Sequence, residues 1–321
     1  MSSNLEVGIV GLPNVGKSTL FNALLKKQAA YVANFPFATI EPNVGVVPVP
    51  DERLKVLSDI VKTSEALSFF PPEVNATCEF LDIAGLIKGA SKGEGLGNKF
   101  LSHIREVDAI CHVVRAFSDP DIIKQGVTNP KDDFEVVKIE LDLADLDHPD
   151  APPLSGKPIL VVLNIDEADL SRAKELEIDF AKGNNLDTDQ VVAVCAKTES
   201  ELSELTKEEQ VSYLNDLGIK ESALDRLIKK AFATLGLITF LTAGEKEVRA
   251  WTIKEGIKAQ EASGVIHTDF IKKFIKADVC DLDKFVEASG WKEAREKGYV
   301  RSEGRDYIVK DGDVIEFKIG S

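Results

Sequence analysis

Short apolar runs alternate with longer segments of helical periodicity over the first 235 residues. The runs are nearly uninterrupted, which is typical of strands that are covered on both faces. Strands that alternate with helices predict an α/β fold with a mostly parallel sheet flanked by helices. The predicted strands are Leu5–Val10, Val44–Val49, Thr77–Ile83, Ala109–Val114, Pro158–Leu163 and Gln190–Cys195, and the predicted helices include Lys17–Lys26, Asp132–Asp147 and Ala223–Leu235.

The pattern changes near Leu237. Downstream of this point, short apolar runs surround turn signals such as Asp311-Gly312-Asp313. We therefore predict two domains, residues 1–237 and 238–321, which suits a chain of 321 residues. The strands predicted in the second domain are Trp251–Ile253, Tyr307–Val309 and Val314–Ile319.

Composition and charge exclude several classes of protein. The chain has 39 basic and 54 acidic residues and a net charge of −15, so we expect no DNA partner. The four cysteines are far apart and lack zinc-ligand spacing, which predicts free thiols and a reducing, cytoplasmic location. No apolar run is long enough to span a membrane, and the first residues do not resemble a signal peptide.

A phosphate-binding pattern follows the first predicted strand. Gly11-Leu12-Pro13-Asn14-Val15-Gly16-Lys17-Ser18-Thr19 matches G-x-x-x-x-G-K-[ST] and leads into a predicted helix. The glycines let the backbone wrap around a phosphate, and the amides at a helix N-terminus favour the anion. We predict that Lys17 reaches the outer phosphates and that Ser18 binds Mg²⁺. Asn14 is also a candidate ligand for K⁺, and the alternative is that asparagine simply suits the turn.

Two further segments carry predicted catalytic groups. Asp82-Ile83-Ala84-Gly85 follows a predicted strand. Asp82 could hold Mg²⁺ through water, and Gly85 would let its amide approach a γ-phosphate. Thr39, in the preceding loop, is a candidate Mg²⁺ ligand when the γ-phosphate is present. Leu86 stands where many such proteins have a water-orienting Gln, so hydrolysis is either slow or takes its water-positioning group from elsewhere. Glycines in Lys88–Asn98 predict a switch loop.

The segment Asn164-Ile165-Asp166-Glu167 indicates which base is bound. Guanine-specific proteins have Asn-Lys-x-Asp at this place, and the Asp carboxylate accepts hydrogen bonds from guanine. Here Ile165 replaces the Lys and Glu167 replaces the Asp, while the N1 acceptor of adenine would repel a carboxylate. We therefore expect weak guanine recognition, with Asn164 and backbone groups near Ile165 contacting adenine. The segment Val194–Lys197 resembles the remaining base-flanking loop.

Together these motifs resemble the YchF, or Obg-like ATPase, family over nearly the whole chain. The resemblance implies a P-loop NTPase domain of the translation-factor class and a small ubiquitin-like β-grasp domain of the TGS type. Besides the motifs above, it rests on Asn34–Asn43, Lys92–Asn98, Phe240–Gly244, Arg249–Thr252, Ile266–Phe270 and Asp306–Asp313.

The family resemblance also carries functional expectations. It implies a preference for ATP over GTP, a hydrophobic residue (here Leu86) in place of the catalytic Gln, and association with ribosomes. It further implies phosphate binding by Asn14–Thr19, Mg²⁺ binding by Ser18 and Thr39, and adenine binding by Asn164 with Ile165. The predicted function is an ATP-hydrolysing molecular switch. The alternatives are a GTPase and a nucleotide-gated binding module with negligible hydrolysis.

The chain departs from the family at one place. Family members carry a helical, coiled-coil-like insertion between the helix that contains Leu143–Leu146 and the strand that follows Lys157. Here only about ten residues, near 147–156, connect the two elements. Either the chain lacks the insertion, or the insertion was removed, or the residue numbering closes up a segment that is missing from the sequence. No function of such an arm is therefore assigned.

Overall fold

The structure is a computed structural model, and it describes residues 5–32, 43–83, 96–118, 129–219 and 221–320. Its strands are β1 (Glu6–Val10), β2 (Val44–Pro48), β3 (Glu73–Val74), β4 (Thr77–Asp82), β5 (Ala109–Ala116), β6 (Ile159–Ile165), β7 (Val191–Val194), β8 (Leu237–Ala243), β9 (Val248–Lys254), β10 (Phe274–Cys280), β11 (Arg301–Glu303) and β12 (Val314–Ile319).

The helices lie between these strands. Two short 3₁₀ helices, Glu167–Arg172 and Thr188–Gln190, accompany them. The α-helices are α1 (Lys17–Val32), α2 (Glu52–Ser64), α3 (Leu96–Glu106), α4 (Pro130–Asp147), α5 (Ala173–Gly183), α6 (Ala196–Leu202), α7 (Lys207–Asp216), α8 (Ala223–Thr234), α9 (Ala259–Ile266), α10 (Thr268–Lys273), α11 (Leu282–Ala288) and α12 (Trp291–Glu296).

One compact unit contains the chain up to Pro48 together with Cys78–Leu235. Its sheet has the strand order β2-β4-β1-β5-β6-β7, and the pairings from β4 through β7 are parallel. Seven of the eight residues of β5 are buried, as expected of a central strand between helices. The predicted parallel sheet is confirmed, and its six strands begin and end within two residues of the predicted positions.

The connection from α4 to β6 is a folded turn. The carboxylate of Asp145 accepts hydrogen bonds from the backbone N–H of Leu154 at 2.7 Å and of Ser155 at 2.9 Å. The Leu154 side chain is fully buried in the cluster formed by α3, α4 and β5. The helix ends at Asp147, as the prolines that follow predict. The short connection therefore has its own polar and apolar anchors.

The second compact unit contains Val49–Thr77 and the chain from Gly236 onward. Its sheet has the order β11-β10-β12-β8-β9-β3. The hairpin β8–β9 is antiparallel, β12 lies parallel to β8, and β10 lies antiparallel to β12. Helix α9 packs against one face around Phe240 and Ile315. This arrangement of hairpin, helix and returning strands is the predicted β-grasp fold.

One strand predicted for this unit is wrong. Tyr307–Val309 forms no strand, and Ile308 makes only an isolated bridge to Lys258. The Tyr307 hydroxyl donates to Asp313 at 2.8 Å, and Val309 is buried in the core. Tyr307 and Val309 pack into the core while Ile308 is exposed, so the segment has the apolar composition of a strand without a strand's pairing.

The segment Val49–Thr77 belongs to a different unit from the one that the sequence pattern suggests. Strand β3 pairs in parallel with β9, and helix α2 packs on β8 and β9 with Leu54, Leu57 and Val61 buried. Because this segment precedes β4 in sequence, the sequence pattern predicts that it belongs to the first domain. Its apolar helix face is instead buried by the β-grasp sheet.

An ion-pair network fixes the beginning of α2 to the same unit. The Arg53 guanidinium donates to Asp51 at 2.7 Å, to Asp311 at 2.8 Å and to the Thr239 hydroxyl at 2.7 Å. These charge-assisted bonds raise the pKa of Arg53 above its usual range, although burial opposes the shift. Polar and apolar contacts thus both assign α2 to the second unit.

The four cysteines are free and buried, as predicted. Among the described residues, no helix is long and apolar enough to cross a bilayer.

The assignment of α2 predicts a specific effect of mutation. Leu57→Ala should lower the free energy of unfolding of the second unit by about 2–5 kcal/mol, because it leaves a cavity under the sheet. The chain has two tryptophans, Trp251 and Trp291, and both lie in this unit, so tryptophan fluorescence during urea unfolding reports on it alone. Val56→Ala is the control, because Val56 is 41% exposed on the same helix. An unchanged fluorescence midpoint in Leu57→Ala would contradict the assignment.

Candidate functional site

The loop between β1 and α1 has the backbone conformation of a phosphate-binding loop. Gly11 has φ +151° and Gly16 has φ +97°, values that side chains rarely allow. A Cβ at Gly11 would lie 2.4 Å from the Val113 carbonyl oxygen, and one at Gly16 would lie 2.2 Å from Nδ2 of Asn164. Asn14 adopts φ 62°, which asparagine tolerates better than most residues, so the turn gives one reason for asparagine here.

Lys17 and Asp82 bring opposite charges to the same end of the sheet. The Lys17 ammonium donates to the carbonyl oxygens of Gly11 at 2.9 Å and Leu12 at 2.7 Å. Asp82 is the last residue of β4 and pairs in register with Ile9 of β1. Burial lowers the pKa of Lys17 and raises that of Asp82, and the attraction between the two charges opposes both shifts. An incoming anion would give the Lys17 ammonium a charged acceptor in place of two carbonyls.

The buried carboxamide of Asn164 joins two loops. Its Nδ2 donates to the carbonyl oxygen of Val15 in the phosphate loop at 2.9 Å. Its Oδ1 accepts from the backbone N–H of Ala196, the first residue of α6, at 3.0 Å. Both ends of the side chain are therefore engaged in fixing the walls of the site.

These loops enclose a cleft of about 770 Å³. Most of the predicted phosphate and base residues meet there, together with Cys195–Lys197 of the predicted base-flanking loop. Val15, Asp82 and Val194 are not part of the lining. Phe117 and Ser118, which follow β5, also line the cleft and are not among the residues predicted from the sequence. Their position at the carboxyl end of a central parallel strand was the available signal. The lining residues are Asn14, Gly16, Lys17, Ser18, Thr19, Phe117, Ser118, Asn164, Ile165, Asp166, Glu167, Cys195, Ala196 and Lys197.

The side chains of the predicted base-binding segment differ in how far they are free to contact a ligand. The Ile165 side chain is buried in the cluster under β6, so mainly its backbone is available to a ligand. Asp166 accepts a hydrogen bond from the Ser118 backbone N–H at 2.8 Å. Glu167 is exposed at the start of a 3₁₀ helix, and the Tyr213 hydroxyl lies 3.5 Å from its Oε1.

Thr39, Gly85 and Leu86 lie outside the described residues, so their roles stay predictions.

Comparisons with known proteins agree with this geometry. Residues 6–165 match the family model described as "50S ribosome-binding GTPase". Residues 237–320 match the C-terminal family model of the YchF GTPases, described as "Protein of unknown function (DUF933)". The "Ribosome-binding ATPase YchF" of Bacillus subtilis (strain 168) is 44% identical over 372 residues, which cover 98% of this chain and 99% of that protein. The chain belongs to the YchF family.

Two further relatives extend the similarity. The protein of the same name from Escherichia coli O157:H7 is 45% identical, with 97% of this chain and 98% of that protein covered. The solved structure described as "Structure of the Schizosaccharomyces pombe YchF GTPase" matches with a TM-score of 0.76 and 32% identity, covering 99% of this chain and 98% of that chain. This chain thus shares its fold with the Schizosaccharomyces pombe protein over nearly the whole length of both chains.

The alignment with the Bacillus protein spans more positions than this chain has residues. Because 372 positions exceed 321 residues by 51, at least that many residues of the relative have no counterpart here. A deficit of this size suits the missing insertion. Its placement between α4 and β6 remains a prediction.

The contact between Gly16 and Asn164 predicts the effect of one methyl group. Gly16→Ala should lower the free energy of unfolding of the first unit by about 1–3 kcal/mol, because the backbone is left-handed and the new Cβ collides with a side chain held by two hydrogen bonds. Urea unfolding followed by circular dichroism measures this change.

Gly183→Ala is the matched control for this substitution. Apart from its chain neighbours and its own helix backbone, nothing lies within 4 Å of a Cβ built at Gly183, so the same change should not destabilise the unit and should raise its stability by at most about 1 kcal/mol. Equal stability of the two variants would show that the Gly16 contact is not rigid.

Proposed function

We propose that this chain is an ATPase that works as a nucleotide-dependent switch on ribosomes. One observation carries the proposal: a phosphate loop and a base loop face one cleft, and the buried Asn164 holds them together. The Bacillus and Escherichia relatives bear the name "Ribosome-binding ATPase YchF", which supports the same function.

The phosphates of ATP would bind where the backbone turns into α1. The amides of residues 14–19 and the N-terminus of α1 supply partial positive charge, and Lys17 supplies a full one. The Lys17 ammonium would leave the carbonyl oxygens of Gly11 and Leu12 for the outer phosphates. There it would stabilise the charge that develops as the β–γ bond breaks.

The oxygen groups near Lys17 suit Mg²⁺. The Ser18 hydroxyl lines the cleft, and the Asp82 carboxylate stands at the end of the adjacent strand β4. A hydroxyl and a carboxylate are hard oxygen donors of the kind that Mg²⁺ takes, directly or through water. Ser18 and Thr39 would bind the ion directly, and Asp82 through water. The ion would neutralise part of the phosphate charge.

Adenine is the base that the second loop favours. Two carboxylates could take the place of the Asp that binds guanine in guanine-specific proteins. Asp166 is held by the backbone N–H of Ser118, and Glu167 is one methylene longer than Asp. Asn164 and the backbone near Ile165 would contact adenine, and Phe117 would offer an aromatic face.

Two alternatives stay open within this site. GTP hydrolysis is the first, because the Schizosaccharomyces pombe relative is described as a GTPase. Binding with negligible turnover is the second, because Leu86 cannot orient water and would leave that task to another group. A potassium ion at Asn14 remains a prediction, as do the cytoplasmic location and contact with the large ribosomal subunit, ribosomal RNA or both.

Lys17→Ala tests the assignment of the phosphate site. The variant should fold and lose ATP hydrolysis by about two to four orders of magnitude, because the charge that stabilises the transition state is gone. Phosphate release is the measurement. Lys26→Ala is the control, because Lys26 lies on the same helix and pairs with Glu204 instead. Near-normal turnover of Lys17→Ala would refute the site.

Base preference is tested by calorimetric titration with non-hydrolysable ATP and GTP analogues. ATP should bind more tightly than GTP or at least as tightly, because the two charge-assisted bonds that guanine needs, each worth about 1.5–3 kcal/mol, are missing. GTP binding tenfold tighter than ATP binding would favour the GTPase alternative.

A further inference from the structure

A hydrogen bond links the loops that follow the neighbouring strands β5 and β6. The strands pair in parallel until Ala116 lies opposite Ile165. Beyond that pair, the backbone N–H of Ser118 donates to Oδ2 of Asp166 at 2.8 Å. The contact therefore continues the association of the two strands through a side chain.

Asp166 makes this bond at the expense of a local one. It is the N-cap residue of the 3₁₀ helix Glu167–Arg172, with extended backbone angles of φ −73° and ψ 155°. An aspartate at this position usually accepts a hydrogen bond from its own first turn. No such side-chain bond forms here. The carboxylate is committed to the neighbouring loop instead.

The neighbouring loop carries an aromatic wall of the cleft. Phe117 precedes Ser118 directly, and both residues line the cleft with Asp166 and Glu167. Phe117 is half-buried, so part of its surface remains available to a ligand. A planar base gains about 1–3 kcal/mol from stacking on such a ring, provided that the ring is held in place.

We propose that Asp166 is a positioning residue that holds Phe117 as one wall of the base pocket and thereby increases the affinity for ATP. This inference rests on the proposed nucleotide function. Asp166 does not contact the reacting phosphates in this account. It acts on the base through the backbone of Ser118.

Simple electrostatics predicts the opposite sign. ATP is a polyanion, so removing a carboxylate from the lining of its cleft should strengthen binding if charge alone mattered. If Asp166 positions Phe117, its removal should weaken binding. The direction of the change therefore separates the two explanations.

The experiment is calorimetric titration of the full chain and its variants with a non-hydrolysable ATP analogue. Asp166→Ala should weaken binding about tenfold, and Asp166→Asn, which keeps an acceptor oxygen, should bind within about threefold of the parent. Phe117→Ala should weaken binding to a similar extent, and adding Asp166→Ala to it should change affinity less than about twofold. Asp169→Ala, a charge removal on the same 3₁₀ helix outside the cleft lining, should leave binding unchanged.

A second variant removes the donor instead of the acceptor. Ser118→Pro lacks the backbone N–H, and it should reproduce the loss seen in Asp166→Ala. It also provides the test if Asp166→Ala fails to fold. The inference is overturned if Asp166→Ala binds as tightly as the parent or tighter, or if it loses the same factor in the Phe117→Ala background. A parent chain that binds no ATP would refute the proposed function itself.

Discussion

The site depends on the two hydrogen bonds of the Asn164 carboxamide. The carboxamide lies at the end of β6, donates to the phosphate loop and accepts from the start of α6. Because it is 7% exposed, either polar group left without its partner would be costly. The same side chain occupies the space that a Cβ at Gly16 would need. Phosphate loop and base loop are thus held in one geometry before any ligand binds, which lowers the ordering cost of binding.

Within the described residues, the chain passes between its two units three times, after Pro48, after Thr77 and after Leu235. The first crossing follows the end of β2. The second follows the first residue of β4, the strand that ends at Asp82. The segment between them supplies a buried helix and an edge strand to the β-grasp unit. The β-grasp unit is therefore not a simple C-terminal appendage, since a chain cut at Leu235 would expose Leu54, Leu57 and Val61 to water.

The sheet of the first unit could be predicted from the sequence because each strand is a nearly continuous apolar run. The phosphate loop could be predicted because phosphate binding by such a loop needs particular residues in a fixed order. The partner of α2 could not be predicted, since an amphipathic helix reveals which face is buried but not the surface that buries it. Tyr307–Val309 misled for a related reason, because burial without pairing leaves the same apolar pattern. The Ser118–Asp166 bond was invisible because its donor is a backbone N–H, which has no sequence signature.

Asn164 holds the phosphate loop although it lies about 150 residues away in sequence. Titration of the parent chain and of Asn164→Ala with Mg²⁺-tripolyphosphate, a probe without a base, measures this support separately from base recognition. The variant should bind tripolyphosphate about tenfold more weakly, because the Val15 carbonyl loses its donor and the loop loses its support. Unchanged tripolyphosphate binding alongside weaker ATP binding would show that Asn164 serves only the base and does not hold the phosphate loop.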